Sequence, residues 1–141
     1  SGLRAARVNA RMARHGLAVA LVDAMLVEFD GGAIGTVSGT SNGHLRRVFL
    51  TLGCADGTLE IDLVAGAAAL RRARGDTEEI VPEEQVYPGD APVANLIAVA
   101  RGTEAPVVRG EVGWRAVELL DAAYRSAAAD GRAVAVDELY A

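Results

Sequence analysis

The chain has 141 residues, 51% of them hydrophobic and 23% charged, with a net charge of −5. That length suffices for a single domain, residues 1–141, with its own core and no disulfide or metal to hold it. An acidic chain has no broad field for nucleic acid, no apolar run reaches the roughly 18 residues of a membrane span, and no secretion signal follows Arg4 and Arg7, so the expected location is the cytoplasm.

In residues 7–14, Arg7, Asn9 and Arg11 alternate with Val8, Ala10 and Met12, which is the period of a strand. Arg4, Arg7, Arg11 and Arg14 also fall at helical spacing, so a helix is the rival reading. Residues 19–29 and 33–41 are two apolar runs around Asp30-Gly31-Gly32, a strong hairpin signal because those residues accept positive φ. Thr36, Ser38 and Thr40 share one face of the second run. After a turn at Asn42-Gly43, residues 47–54 put Val48, Leu50 and Leu52 on one face. Ala55-Asp56-Gly57 then turns the chain into 58–64, where Leu59, Ile61 and Leu63 alternate with Glu60 and Asp62. Residues 67–74 and 77–81 read as a more ragged pair, and 82–89 as an acidic, proline-bounded loop.

The period then changes to helical. Asp90 is an N-cap, Val93, Leu96, Ile97 and Ala100 form a stripe, and Gly102 stops the helix. A second helix runs from Glu111 to about Asp130, with Gly113, Val117, Leu120, Tyr124 and Ala127 as its expected buried stripe and Gly131 at C′. Residues 133–136 are a short last strand. Strands followed by two helices predict an α+β fold, a mostly antiparallel sheet with both helices on one face and the other face open. Which parity of each strand points to the open face is not fixed, because a shift of one residue swaps the two.

All 14 basic residues are arginine, so every mechanism that needs a lysine is excluded. Cys54 is the only cysteine, which excludes an internal disulfide and an all-cysteine zinc site; ahead of a turn and far from histidine, it reads as an inert thiol. His15 and His44 show no metal-ligand spacing. Gly39-Thr40-Ser41-Asn42-Gly43 matches the nucleophile-elbow pattern, but a strand rather than a helix follows it, so its glycines read as turn residues. His44, Arg46 and Arg47 could contact an anion, although an arginine pair at a strand start is more often solvated. The acidic residues Glu78, Glu79, Glu83 and Glu84 read as a solvated loop, and Trp114 as a contact between elements or a ligand platform. No G-x-G-x-x-G occurs, so no nucleotide-binding half is encoded in this chain.

Asp23 followed by Phe29-Asp30-Gly31-Gly32-Ala33-Ile34-Gly35 resembles the first hairpin of the C-terminal domain of Gfo/Idh/MocA-type oxidoreductases. The segment from Gly53 to Glu60 resembles the next hairpin. Asn95 to Gly102, Pro106 and Gly110 resemble the closing helix and turn, and Ala116 to Tyr124 with Ser126, Gly131 and Val134 the last helix and strand. The resemblance covers about residues 7–138. It implies the substrate-side and oligomerisation domain of an NAD- or NADP-dependent enzyme acting on a sugar, cyclitol or similar polyol. The family's N-terminal Rossmann domain, its Glu-Lys-Pro segment and its catalytic histidine would lie upstream, and Ser1-Gly2 fits the remnant of a cleaved tag. No catalytic, cofactor-binding or metal residue is therefore assigned, and the chain alone is expected to be inactive. In the family the open sheet face commonly builds the oligomer interface, which makes Thr36, Ser38, Thr40, Val48, Leu50 and Leu52 candidates for the interface or the cleft, and a homo-oligomer the expected state. The rivals are a stand-alone oligomerising sheet module and a small-ligand binder using His44, Arg46 and Arg47.

Overall fold

A computed structural model describes residues 2–81 and 91–136. The strands are β1 (Ala5–Ala13), β2 (Val22–Phe29), β3 (Ile34–Thr40), β4 (Phe49–Cys54), β5 (Gly57–Asp62), β6 (Ala67–Arg72) and β7 (Thr77–Ile80). The helices α1 (Ala91–Ala100) and α2 (Gly110–Ala128) follow, then the short strand β8 (Val134–Ala135). The α+β class, the antiparallel pairing and the order of elements are those expected. The alternation in residues 7–14 resolves as a strand rather than a helix. The strands divide between two four-stranded sheets, and the chain divides into two compact units, Ser1–Gly43 with Val107–Ala141, and His44–Pro106. Among the described residues no helix is long and apolar enough to cross a membrane.

The first unit holds the sheet β3-β2-β1-β8 with α2 lying on it. Gly31 and Gly32, both at φ 87°, make the turn between β2 and β3, as their sequence suggests. The register joins Val8 to Val27 and to Val134, and Ala10 to Met25. These side chains, with Val136, point at Ala122 and Ala123 of α2 and form the buried core. Val8 and Val27 are fully enclosed, and each contributes about 1.5–3 kcal/mol relative to an exposed position.

The buried stripe of α2 differs from the expected one. Glu118, Ala122, Ala123 and Ser126 are buried, while Val117, Leu120 and Tyr124 are exposed. The face that packs on the sheet carries small residues, which let the helix approach closely and left the larger apolar residues to dominate the sequence pattern. The end of α2 also differs in detail. The left-handed C′ position falls on Asp130 (φ 58°), one residue before Gly131 (φ 79°). The Gly131 amide then donates to the Ser126 carbonyl at 2.8 Å, closing a Schellman-type turn.

The second unit holds the sheet β4-β5-β6-β7, a meander of neighbouring hairpins, and α1. Its register puts Leu50, Leu52, Leu59, Ile61, Leu70 and Ile80 on one face, and Thr51, Thr58, Glu60, Arg71, Thr77 and Glu79 on the other. The alternation is the one the sequence predicts. Yet no described residue from His44 to Pro106 is buried. Helix α1 carries no charged side chain, and Val93, Leu96 and Ile97 along its apolar stripe are exposed. Asn95, its one polar side chain, donates to Glu104 Oε2 (3.1 Å) and to the Ala105 carbonyl (3.2 Å), which ties the helix to the turn after it. The expected N-cap Asp90, the loop 82–89 and the acidic pair Glu83 and Glu84 lie outside the described residues.

Candidate functional site

The first candidate surface is the face of the β1–β3 sheet turned away from α2. Cross-strand rows run Asn9–Leu26–Thr36 and Arg11–Ala24–Ser38. They alternate with the rows that meet the helix, so Thr36, Ser38 and Thr40 do share one face, and that face is the open one. All three are exposed. A shallow depression of about 350 Å³ lies over these rows, with Asn9 and Arg11 on one side and the Thr36 and Ser38 hydroxyls on the other. Its polar groups are partly engaged. Arg11 pairs with Asp130, the Asn9 amide donates to the Gly131 carbonyl at 3.0 Å, and Arg7 stands 3.6 Å from Glu28. These ion pairs are well hydrated and contribute about 1 kcal/mol at most.

The second surface belongs to the β4–β7 sheet. Val48, Leu50 and Leu52 share the parity of its apolar face, and all three are exposed. They are therefore on a different sheet from Thr36, Ser38 and Thr40. A groove of about 580 Å³ crosses one end of this sheet, lined among others by Phe49, Thr51, Glu60, Asp62, Ala67 and Glu79. Glu60 is held by Arg71 at 2.9 Å. Asp62 Oδ1 accepts the amides of Val64 and Ala65, both at 2.9 Å, and so shapes the next turn.

The other sequence candidates are dispersed. His44, Arg46 and Arg47 are exposed in the irregular segment before β4, and no hydrogen bond or ion pair joins them to one another. Ser41 directly follows β3, its amide donates to the Leu21 carbonyl at 2.8 Å, and the next element is a strand, not a helix. Cys54 is a free, exposed thiol. Among the described residues no three His, Cys, Asp or Glu side chains are grouped to hold a metal.

Two arrangements escaped the sequence reading. Ser126 is fully buried; its hydroxyl accepts the Ala10 amide at 2.9 Å and donates to the Arg132 carbonyl at 2.6 Å. In the register of β1 with β8, Ala10 and Arg132 would be the second pair beyond Val8 and Val134, of the same kind in the ladder, so the hydroxyl stands between two peptide groups that would otherwise bond directly. Glu118 is the second. It is buried, yet it accepts from Trp114 Nε1 (2.8 Å) and pairs with Arg115 (2.6 Å), both on its own helix. Trp114 thus makes a defined contact through its indole N–H. The spacings i−4 and i−3 were the available signal.

The sequence matches no protein-family model and no curated protein. Solved structures do match. The oxidoreductase domain protein of Kribbella flavida aligns with a TM-score of 0.76 and 18% identity, over 96% of this chain and 45% of its own. The aldose-aldose oxidoreductase of Caulobacter crescentus, solved with glycerol, gives 0.75 and 21%, over 95% and 42%. The WlbA dehydrogenase of Bordetella pertussis, solved with NADH and UDP-GlcNAcA, gives 0.65 and 22%, over 94% and 39%. The chain has the fold of one part of Gfo/Idh/MocA-type oxidoreductases. It spans less than half the length of the structures it matches. The match runs through both sheets and the helices, in agreement with the resemblance drawn from the hairpins and the last helix.

A nicotinamide dinucleotide does not fit the described residues. A pyrophosphate is ordinarily cradled by a glycine-rich turn from a parallel strand into a helix. Among the described residues every strand pair is antiparallel. Helix α2 starts after Arg109 with no side-chain cap and no strand leading into it.

Proposed function

We propose that the chain is one domain, the C-terminal substrate-side and oligomerisation domain of a cytoplasmic NAD- or NADP-dependent oxidoreductase acting on a sugar, cyclitol or similar polyol. The observation that carries this reading is the asymmetry of the structural match, about 95% of this chain against about 42% of the sugar-active relative. The chemistry would reside in the remainder: the nicotinamide supplies and removes hydride there, and a group from that remainder accepts the alcohol proton. This chain would contribute the sheet that backs the substrate. The face bearing Thr36, Ser38 and Thr40 would meet a second copy, since it is open, flat and hydroxyl-rich around Leu26 and Ile34.

The test has two parts. Titration of the isolated chain with NADH, followed by nucleotide fluorescence or calorimetry, should give no saturable signal; saturable binding overturns the reading. The natural gene upstream of the Ser1 codon should continue in frame through a glycine-rich strand, turn and helix with a lysine. A start codon at this point overturns it equally.

A further inference from the structure

We propose that the β4–β7 sheet is a separately opening unit, which unfolds and refolds while β1–β3, β8 and α2 stay intact. The argument rests on where apolar area is removed from water. The first unit encloses eight apolar side chains between its sheet and α2. Among the described residues of His44–Pro106 none is buried, and β5 with Ala68, Ala69 and Leu70 is only half-buried. Burial is the main favourable term in folding, and a small sheet without a covered face is marginal in water. What holds β4–β7 is its hydrogen-bond ladder, at about 1 kcal/mol net per bond, and two exposed ion pairs, Arg71–Glu60 and Arg72–Glu78.

The pairing pattern makes the opening independent. Each of the four strands pairs only with a strand of the same sheet, and each pair is a hairpin neighbour in sequence. Breaking all three ladders therefore breaks no strand pairing of the first sheet, and every contact needed to reform them is local, which favours fast refolding. The unit begins at His44 and ends at Pro106, so its two ends leave intact the long-range pairing of β1 with β8 that closes the first unit. The outcome is a conformational equilibrium, ordered meander against open chain, set within residues 49–80. It does not depend on the oxidoreductase reading.

Hydrogen exchange with mass-spectrometric readout on the full chain tests this, at two protein concentrations a hundredfold apart. Peptides from 49–62 and 67–80 should exchange on the order of 100-fold faster than peptides from 5–13 and 22–29, at both concentrations. Leu59→Ala should speed exchange in the first set and leave the second unchanged. Equal protection of the two sets overturns the proposal, and so does a Leu59→Ala effect that spreads to β1 and β2. Protection of 49–80 that appears only at the higher concentration also overturns it, because a second copy would then cover the sheet. If Leu59→Ala prevents β5 from forming, the ratio of rates in the unaltered chain still decides.

Discussion

The two sheets are built from the same material and end differently. Both are four-stranded and antiparallel, and both alternate apolar with polar residues. The first has a helix on its apolar face and so has a core, whereas the second carries six large apolar residues in register and leaves Leu50, Leu52 and Ile80 exposed and Leu59, Ile61 and Leu70 only half-buried. Alternation therefore specifies which side of a strand prefers to leave water, and only the presence of a covering element turns that preference into stability.

Six substitutions, grouped in four tests, break or sharpen the contrast. The largest effect is expected from a buried charge. Val27→Asp should cost about 4 kcal/mol or more and unfold the first unit, whereas Leu52→Asp should cost about 0.5 kcal/mol, both read by urea denaturation with circular dichroism. Comparable losses would mean that the second sheet is covered after all. Next is cavity formation: Met25→Ala should cost about 2–5 kcal/mol, and Leu50→Ala little more than a surface change. Ser126→Ala should come third, at about 1–3 kcal/mol, because it strands the buried Ala10 amide and takes the donor from the partly buried Arg132 carbonyl. Its signature would be faster exchange of the Ala10 amide. The smallest is Arg11→Ala, about 1 kcal/mol or less and weaker still in high salt, since its pair with Asp130 is exposed.

A fifth expectation concerns the second sheet alone. A Cβ at Gly57 would lie 2.3 Å from the Arg71 carbonyl oxygen. Gly57→Ala should therefore disrupt the pairing of β5 with β6 and erase amide protection in 57–72 while leaving β1 and β2 protected. Loss in both regions would show that the two sheets fold as one.

Much of this architecture was legible in the chain, for identifiable reasons. The β2–β3 and β4–β5 hairpins were visible because Asp30-Gly31-Gly32 and Asp56-Gly57 interrupt clean alternations, whereas β1 shared its spacing with a helix and the β6–β7 pair was ragged. The contact face of α2 was hidden because its residues are Ala122, Ala123 and Ser126, whose small size is what lets the helix sit close and what makes them weak in any hydrophobic pattern. Glu118 was hidden by its charge, which reads as solvent-facing until Trp114 and Arg115 are seen to satisfy it. The open face of β3 was legible as a face, but its direction was not, because parity becomes an orientation only once a helix takes one side. The candidate surfaces fared less well. Thr36, Ser38 and Thr40 were grouped correctly, but nothing local to them or to Leu50 and Leu52 says that the two groups belong to separate sheets.

The hydroxyl of Ser126 has a consequence for what can be added to the first sheet. At one border, a strand arriving from another molecule meets a two-residue strand and, beyond it, a helix side chain already occupying the amide of Ala10. Growth by strand addition is thereby blocked at that border. It is left to the border formed by β3, where two threonines, a serine and two glycines offer little apolar grip to an incoming strand. The serine thus acts as a terminator of the ladder, and polymerisation of this sheet has one poor entrance instead of two.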